Sequence, residues 1–138
     1  MRRVLVDTGP LVALLDTRDR LHGRALSELD RLTGPLWLGL PTLTESCFLL
    51  GSTHLRRRLS SLLDREVMQL VGPKDDDATT RRSMKWLDHY AEHSPDFADA
   101  FLVCWAESDP SLAVWTFDRE FSTIWRTLGG KKVRLALG

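Results

Sequence analysis

Short apolar runs alternate along this chain with stretches of helical spacing, and that alternation restricts the fold more than any other feature. The runs fall at about residues 3–6, 36–40, 67–71, 112–116 and 133–135. They are apolar throughout, as in Val4-Leu5-Val6 and Leu112-Ala113-Val114-Trp115, instead of alternating with polar residues. A strand of that kind must be covered on both faces. Helical patterns occupy about 10–15, 21–32, 43–50, 55–63, 76–92, 97–107 and 119–128. Strands separated by helices predict a parallel sheet of about five strands with right-handed crossovers, an α/β fold of three layers, α/β/α. The turn signals Gly34-Pro35, Gly72-Pro73, Ser94-Pro95 and Asp109-Pro110 all fall between these segments. At 138 residues, and with roughly 150 residues per domain as a prior, the chain is expected to form a single domain over 1–138.

Composition narrows the function. Lys plus Arg and Asp plus Glu both total 19, so the formal charge is zero and there is no global field to attract nucleic acid; any such chemistry must use local patches. No apolar run approaches the roughly 18 residues of a membrane span, and the first strand pattern begins almost at Met1, so neither span nor signal peptide is expected and the cytoplasm is the expected compartment. Cys47 and Cys104 lie in apolar helical patterns with no CxxC spacing, which reads as reduced, buried thiols.

In a parallel sheet every strand points its carboxyl end to one edge, and the loops there converge on a crevice. Asp7 closes the first strand in Val4-Leu5-Val6-Asp7-Thr8-Gly9-Pro10, and Glu45 lies one turn into the helix after the second. Asp96 and Asp99 open the helix that feeds the fourth strand, and Asp118 follows that strand directly. Each has an ordinary alternative. Thr42 and Glu45 have capping-box spacing, Asp96 or Ser94 can cap the helix behind Pro95, and Asp118 can cap a helix starting at Arg119. Asp7, directly after an apolar strand and before a Gly-Pro turn, has no such simple role. Together, carboxylates in one crevice repel and titrate upward unless a cation neutralises them. Oxygen ligands without Cys or His at that edge suit a hard cation, Mg²⁺ or Mn²⁺, better than zinc.

These motifs resemble the PIN-domain nucleases, and among them the VapC-type toxins of bacterial toxin–antitoxin pairs. The resemblance spans nearly the whole chain. It rests on Val-Asp-Thr-Gly-Pro-Leu-Val-Ala-Leu-Leu at 6–15, Thr44-Glu45, Asp96-Phe97-Ala98-Asp99-Ala100, and Thr116-Phe117-Asp118-Arg119-Glu120-Phe121, which are specific only jointly. It implies a PIN-like sandwich and a Mg²⁺- or Mn²⁺-dependent endoribonuclease. The acidic positions would be Asp7, Glu45, Asp99 and Asp118, with Asp96 as an additional acid one turn before Asp99. Asp7 and Asp99 would be direct ligands; Glu45 and Asp118 would bind a second ion or orient water at the metal. The resemblance also implies an RNA substrate, a small cognate antitoxin and a homodimer. The alternative, a PIN-like scaffold or RNA-binding module without catalysis, is disfavoured by the presence of all four acids. The chain departs from the pattern at 101–105, where Phe101-Leu102-Val103-Cys104-Trp105 is bulkier than the small-residue helix common after the third acid.

Other motifs carry less. His89-Tyr90-Ala91-Glu92-His93 spells H-x-x-E-H but ends at a helix terminus with no third ligand evident. Gly129-Gly130-Lys131-Lys132 follows a helix and precedes a strand, the reverse of a phosphate loop. Thr8 and Thr116 can bond the carboxylates or water, or serve in caps. Among cations that could hold a polyanion, Arg56-Arg57-Arg58, Arg81-Arg82, Lys131, Lys132 and Arg134 read mainly as solvated faces, and Arg119 beside Asp118 is the best placed. Trp37, Trp86, Trp105, Trp115 and Trp125 read as core or interface residues, with stacking on a flipped-out base an alternative for one of them.

Overall fold

The computed structural model describes residues 2–138. Four strands, β1 (Arg3–Val6), β2 (Leu36–Leu38), β3 (Gln69–Leu70) and β4 (Leu112–Trp115), form one parallel sheet in the order β3-β2-β1-β4. The helices are α1 (Thr8–Leu15), α2 (His22–Arg31), α3 (Leu40–Leu50), α4 (Thr53–Asp64), α5 (Asp76–His89), α6 (Phe97–Ser108) and α7 (Glu120–Thr123), with a single 3₁₀ turn at Ala91–His93.

The uniformly apolar strands are explained by packing on both faces. Leu5, Leu112 and Val114 face a core built with Trp86, Phe101, Trp105, Phe121 and Trp125. Val4, Val6, Leu36, Leu38 and Trp115 face the other, with Leu11, Leu15, Leu55 and Leu59. The helices close these cores with local signals the sequence carries. Ser52 accepts from the Leu55 N–H at 3.1 Å to start α4, and Asp75 accepts from the Ala78 N–H at 2.9 Å to start α5. Gly51, at φ 67°, ends α3 in the left-handed conformation that glycine adopts without strain. The bulky 101–105 segment is accommodated where Trp105 packs against Gly39: a Cβ there would lie 2.9 Å from the indole ring.

Two expectations need correction. The fifth strand at 133–135 does not form; that segment makes one parallel bridge, Leu135 to Val114, with the Val114 N–H donating to Arg134 O at 2.9 Å. Its side chains explain why pairing stops. Arg134 turns inward and donates to the carbonyls of Leu112 (3.0 Å), Asp109 (2.9 Å) and Ala106, so it ties helix to strand and does not extend a ladder. The helix expected at 119–128 is confined to α7, after which Trp125 enters the core and Arg126 bridges Lys132 in antiparallel fashion. The remaining differences are at element ends: β2 stops at Leu38 because Gly39 is already the N-cap of α3. Among the described residues no helix is long and apolar enough to cross a membrane, and Cys47 and Cys104 are free thiols, Cys104 fully buried.

Candidate active site

From β1 the chain proceeds outward to β2 and β3, then returns to place β4 on the opposite side of β1. Crevices form where the direction of winding reverses in this way. Val6 and Trp115 are register partners, so Asp7 and Thr116, the next residue on each strand, emerge side by side. A pocket of about 350 Å³ lies there, and Asp7, Glu45, Asp96, Asp99 and Asp118 all line it, with Thr8, Gly9 and Phe117. Five acids separated by up to 111 positions in sequence thus share one cavity.

Asp7 is buried, 7% exposed. Its Oδ1 accepts from the Thr8 N–H at 2.8 Å, capping α1, and its Oδ2 accepts from Thr116 Oγ1 at 2.7 Å. Glu45 projects from the second turn of α3. The capping-box alternative for Glu45 does not hold, because Gly39 is the N-cap and Thr42 lies inside the helix with its carbonyl bonded to the Ser46 hydroxyl. For Asp96 and Asp99 capping and site geometry coexist: Asp96 Oδ1 accepts from the Asp99 N–H at 3.0 Å, and Asp99 Oδ2 from the Asp96 N–H at 3.3 Å. Asp118 follows β4, and its Oδ1 accepts from the Glu120 N–H at 2.9 Å, two residues on.

Burial and mutual repulsion raise three of these carboxyls, Asp7, Glu45 and Asp99. Burial pushes Asp7 up to about 6, against the opposing hydrogen bonds from Thr116 and Thr8. Burial, then the charge of Asp96, raises Glu45 to about 7 and Asp99 to about 8. No Lys, Arg or His figures among the main influences on any of the three. The all-oxygen donor set fits a hard divalent cation, and Thr8 Oγ1, buried in the same wall with no hydrogen-bond partner among the described residues, is a further oxygen available to an ion or its water. Among the described residues no three His, Cys, Asp or Glu side chains are already gathered as a coordination shell.

Beside this pocket, and sharing Glu45 and Asp96 with it, lies an apolar cleft of about 860 Å³ lined by Leu40, Pro41, Leu70, Val71, Pro73, Phe97 and Phe101. The basic runs are largely engaged elsewhere. Arg81 pairs with Asp77 at 3.0 Å, Arg82 with Glu107 at 2.8 Å, and Arg56 Nε donates to Cys47 O at 3.0 Å. Arg119 is exposed immediately before α7. His89 and His93 pack on aromatic rings, His89 4.8 Å from Tyr90 and His93 5.8 Å from Trp125. Sequence reasoning missed Arg24, whose guanidinium carbon lies 4.4 Å from the centre of the Phe117 ring at the pocket wall. An Arg/Glu pair at i and i+4 on an amphipathic helix gives no sign of that neighbour.

A parallel-sheet sandwich with a carboxylate-lined crevice between the ends of its central strands defines an α/β class in which acids supply the charged groups of the crevice. The chain belongs to the PIN domain family, whose profile matches residues 4–125. In three dimensions it is similar to the crystal structure of VapC20 of Mycobacterium tuberculosis, described as a sarcin-ricin loop cleaving toxin. The TM-score is 0.71 at 19% sequence identity, over 85% of this chain and 91% of that one. A comparison with curated proteins finds no match.

Proposed function

We propose that this protein is a Mg²⁺- or Mn²⁺-dependent endoribonuclease that hydrolyses RNA phosphodiester bonds and serves as the toxin of a type II toxin–antitoxin pair. The observation that carries this reading is the convergence of Asp7, Glu45, Asp96, Asp99 and Asp118 on one pocket, with three of them pushed up by burial and repulsion. PIN family membership and the likeness to a protein described as a sarcin-ricin loop cleaving toxin support it.

In this reading Asp7 and Asp99 hold the ion directly, and Glu45 and Asp118 hold a second ion or orient water, with Asp96 in support. A bound divalent cation would supply charge neutralisation at the phosphate and a more acidic water. Thr116 and the Thr8 N–H fix both oxygens of Asp7, so its carboxylate is oriented before substrate arrives. The reciprocal cap holds Asp99 at the first turn of α6. Without a cation, Asp99, raised to about 8, keeps its proton near neutral pH, Glu45, at about 7, shares the population between both forms, and Asp7, at about 6, is mostly charged. A bound cation would favour the charged form of all three.

The toxin role brings a small antitoxin and a homodimer as partners. Exposed Leu40, Phe48, Leu49 and Leu70 support this, being apolar surface of the kind a protein partner covers. An antitoxin segment that places Arg or Lys near the acids would inhibit by pairing with them.

The deciding experiment is cleavage of an RNA oligonucleotide with Mg²⁺ or Mn²⁺ and with EDTA. Cleavage is expected only with metal, and Asp7→Asn is expected to lower the rate by at least about a hundredfold. Undiminished cleavage in EDTA overturns the metal mechanism. Growth arrest on expression, relieved by a coexpressed neighbouring small protein, tests the toxin role.

A further inference from the structure

We propose that Arg24, stacked on the Phe117 ring that lines the acid pocket, is a preorganised phosphate-binding residue that grips an RNA phosphate flanking the scissile one. The proposal rests on the ribonuclease reading above. An acid-lined pocket repels a polyanion, so ground-state binding needs a fixed cation close by.

Arg24 belongs to a closed circuit of four side chains. Its Nε donates to Glu28 Oε2 at 2.6 Å, and Glu28 Oε1 accepts from the buried Trp115 indole N–H at 2.9 Å. Trp115 meets Phe117 edge-to-face, with ring centroids 6.2 Å apart and planes at 85°, and the Arg24 guanidinium carbon lies 4.4 Å from the centre of the Phe117 ring. Phe117 lines the acid pocket between Thr116, which holds Asp7, and Asp118.

An ordinary surface ion pair leaves a guanidinium mobile, because a high dielectric and side-chain entropy oppose a fixed geometry. Here Glu28 is only 13% exposed and is anchored by an indole, whereas Arg24 remains 52% exposed. The protein uses the Nε–H; the two terminal NH₂ groups make no hydrogen bond among the described residues, and they are the pair a phosphate takes bidentately. The aromatic face adds a cation–π contact that holds the plane of the guanidinium. Much of the ordering cost of a phosphate contact is thus met before RNA binds.

The test is fluorescence anisotropy of a labelled single-stranded RNA oligonucleotide, across a salt series with Mg²⁺, in an Asp99→Asn background that removes cleavage. Arg24→Met is expected to weaken binding about tenfold and to reduce the salt slope by about one. Arg24→Lys should keep the slope while losing part of the affinity, because it retains charge without the fork. In otherwise native protein, Arg24→Met should raise KM about tenfold and change kcat less than about threefold. Should Arg24→Met fold poorly, Arg24→Gln carries the same expectation. Affinity and slope within twofold of the parent overturn the proposal, as does a lowered melting temperature with an unchanged slope, which marks Arg24 as merely a counter-ion for Glu28. Absent cleavage by the native chain with Arg24-dependent binding intact overturns the ribonuclease reading alone.

Discussion

One hydroxyl joins the two strand ends that carry the site: Thr116 Oγ1 donates to Asp7 Oδ2 at 2.7 Å and accepts from the Asp118 N–H at 2.9 Å. It spends its only proton on the Asp7 carboxylate and a lone pair on the backbone of the next acid. Thr116 thereby favours charged Asp7 in a place where burial disfavours it.

Thr116→Val preserves shape and removes that bond. Asp7 should then rise further above its present value of about 6, and the acidic limb of the rate–pH profile should move to higher pH. Near pH 6 a loss of about tenfold is expected, from the typical worth of a hydrogen bond to a charged group. The profile of the variant checks this, and an unmoved limb shows that the bond does not tune Asp7.

Stability of the metal-free protein should depend on pH with a defined sign. Asp7, Glu45 and Asp99 are raised to about 6, 7 and 8, so the folded chain binds more protons than the unfolded one between these values and the ordinary carboxylate range. Unfolding free energy should therefore fall as pH rises in that window, and should increase as pH drops from about 8 towards about 5. Asp99→Asn can still accept the Asp96 N–H, so it should stabilise the metal-free protein at pH 7.5 and lose most of the Mg²⁺-induced rise in melting temperature. Thermal melts in EDTA and in millimolar Mg²⁺ decide it; a variant less stable than the native chain in EDTA makes Asp99 a cap and nothing more.

Asp96 carries both a cap and a charge, and two substitutions separate them. Asp96→Asn keeps a good N-cap but removes the largest Coulombic influence on Glu45 and Asp99, so both should titrate lower while the fold is retained. Asp96→Ala loses the cap as well and should cost about 1 kcal/mol. Carboxyl titration by NMR with parallel denaturant melts distinguishes them.

Gly39→Ala places a Cβ 2.9 Å from Cζ3 of Trp105 at the start of the helix that carries Glu45. Overpacking of this kind should destabilise by about 1–3 kcal/mol. Gly23→Ala, inside α2 with nothing within 4 Å of the new Cβ, should instead stabilise by about 0.5–1 kcal/mol. Urea midpoints for the two variants should move in opposite directions.

The order of elements, the parallel sheet and the grouping of the five acids were legible in the sequence because each depends on short-range rules. Apolar runs mark strands covered on both faces, caps and Gly-Pro turns mark ends, and parallel topology sends every strand end to one edge. The fifth strand was not legible. Val133 to Leu135 has strand composition, but whether it pairs depends on Arg134 finding the carbonyls of Ala106, Asp109 and Leu112, contacts at least 22 residues away. Nor did local pattern separate cap from site: Thr42 and Glu45 have capping spacing, yet Pro41 and the close fit of Gly39 to Trp105 start the helix earlier and leave Glu45 free for the pocket. A cation against the pocket wall that no local pattern signals was decided last of all. Sequence proximity points to Arg119, which is exposed just before α7, and folding adds Arg24 and Glu28, brought against Trp115 and Phe117 from 87 or more positions away, because only packing across the sheet joins a helix after β1 to the end of β4. Periodicity is a property of neighbours along the chain; the charge balance of a pocket belongs to neighbours in space.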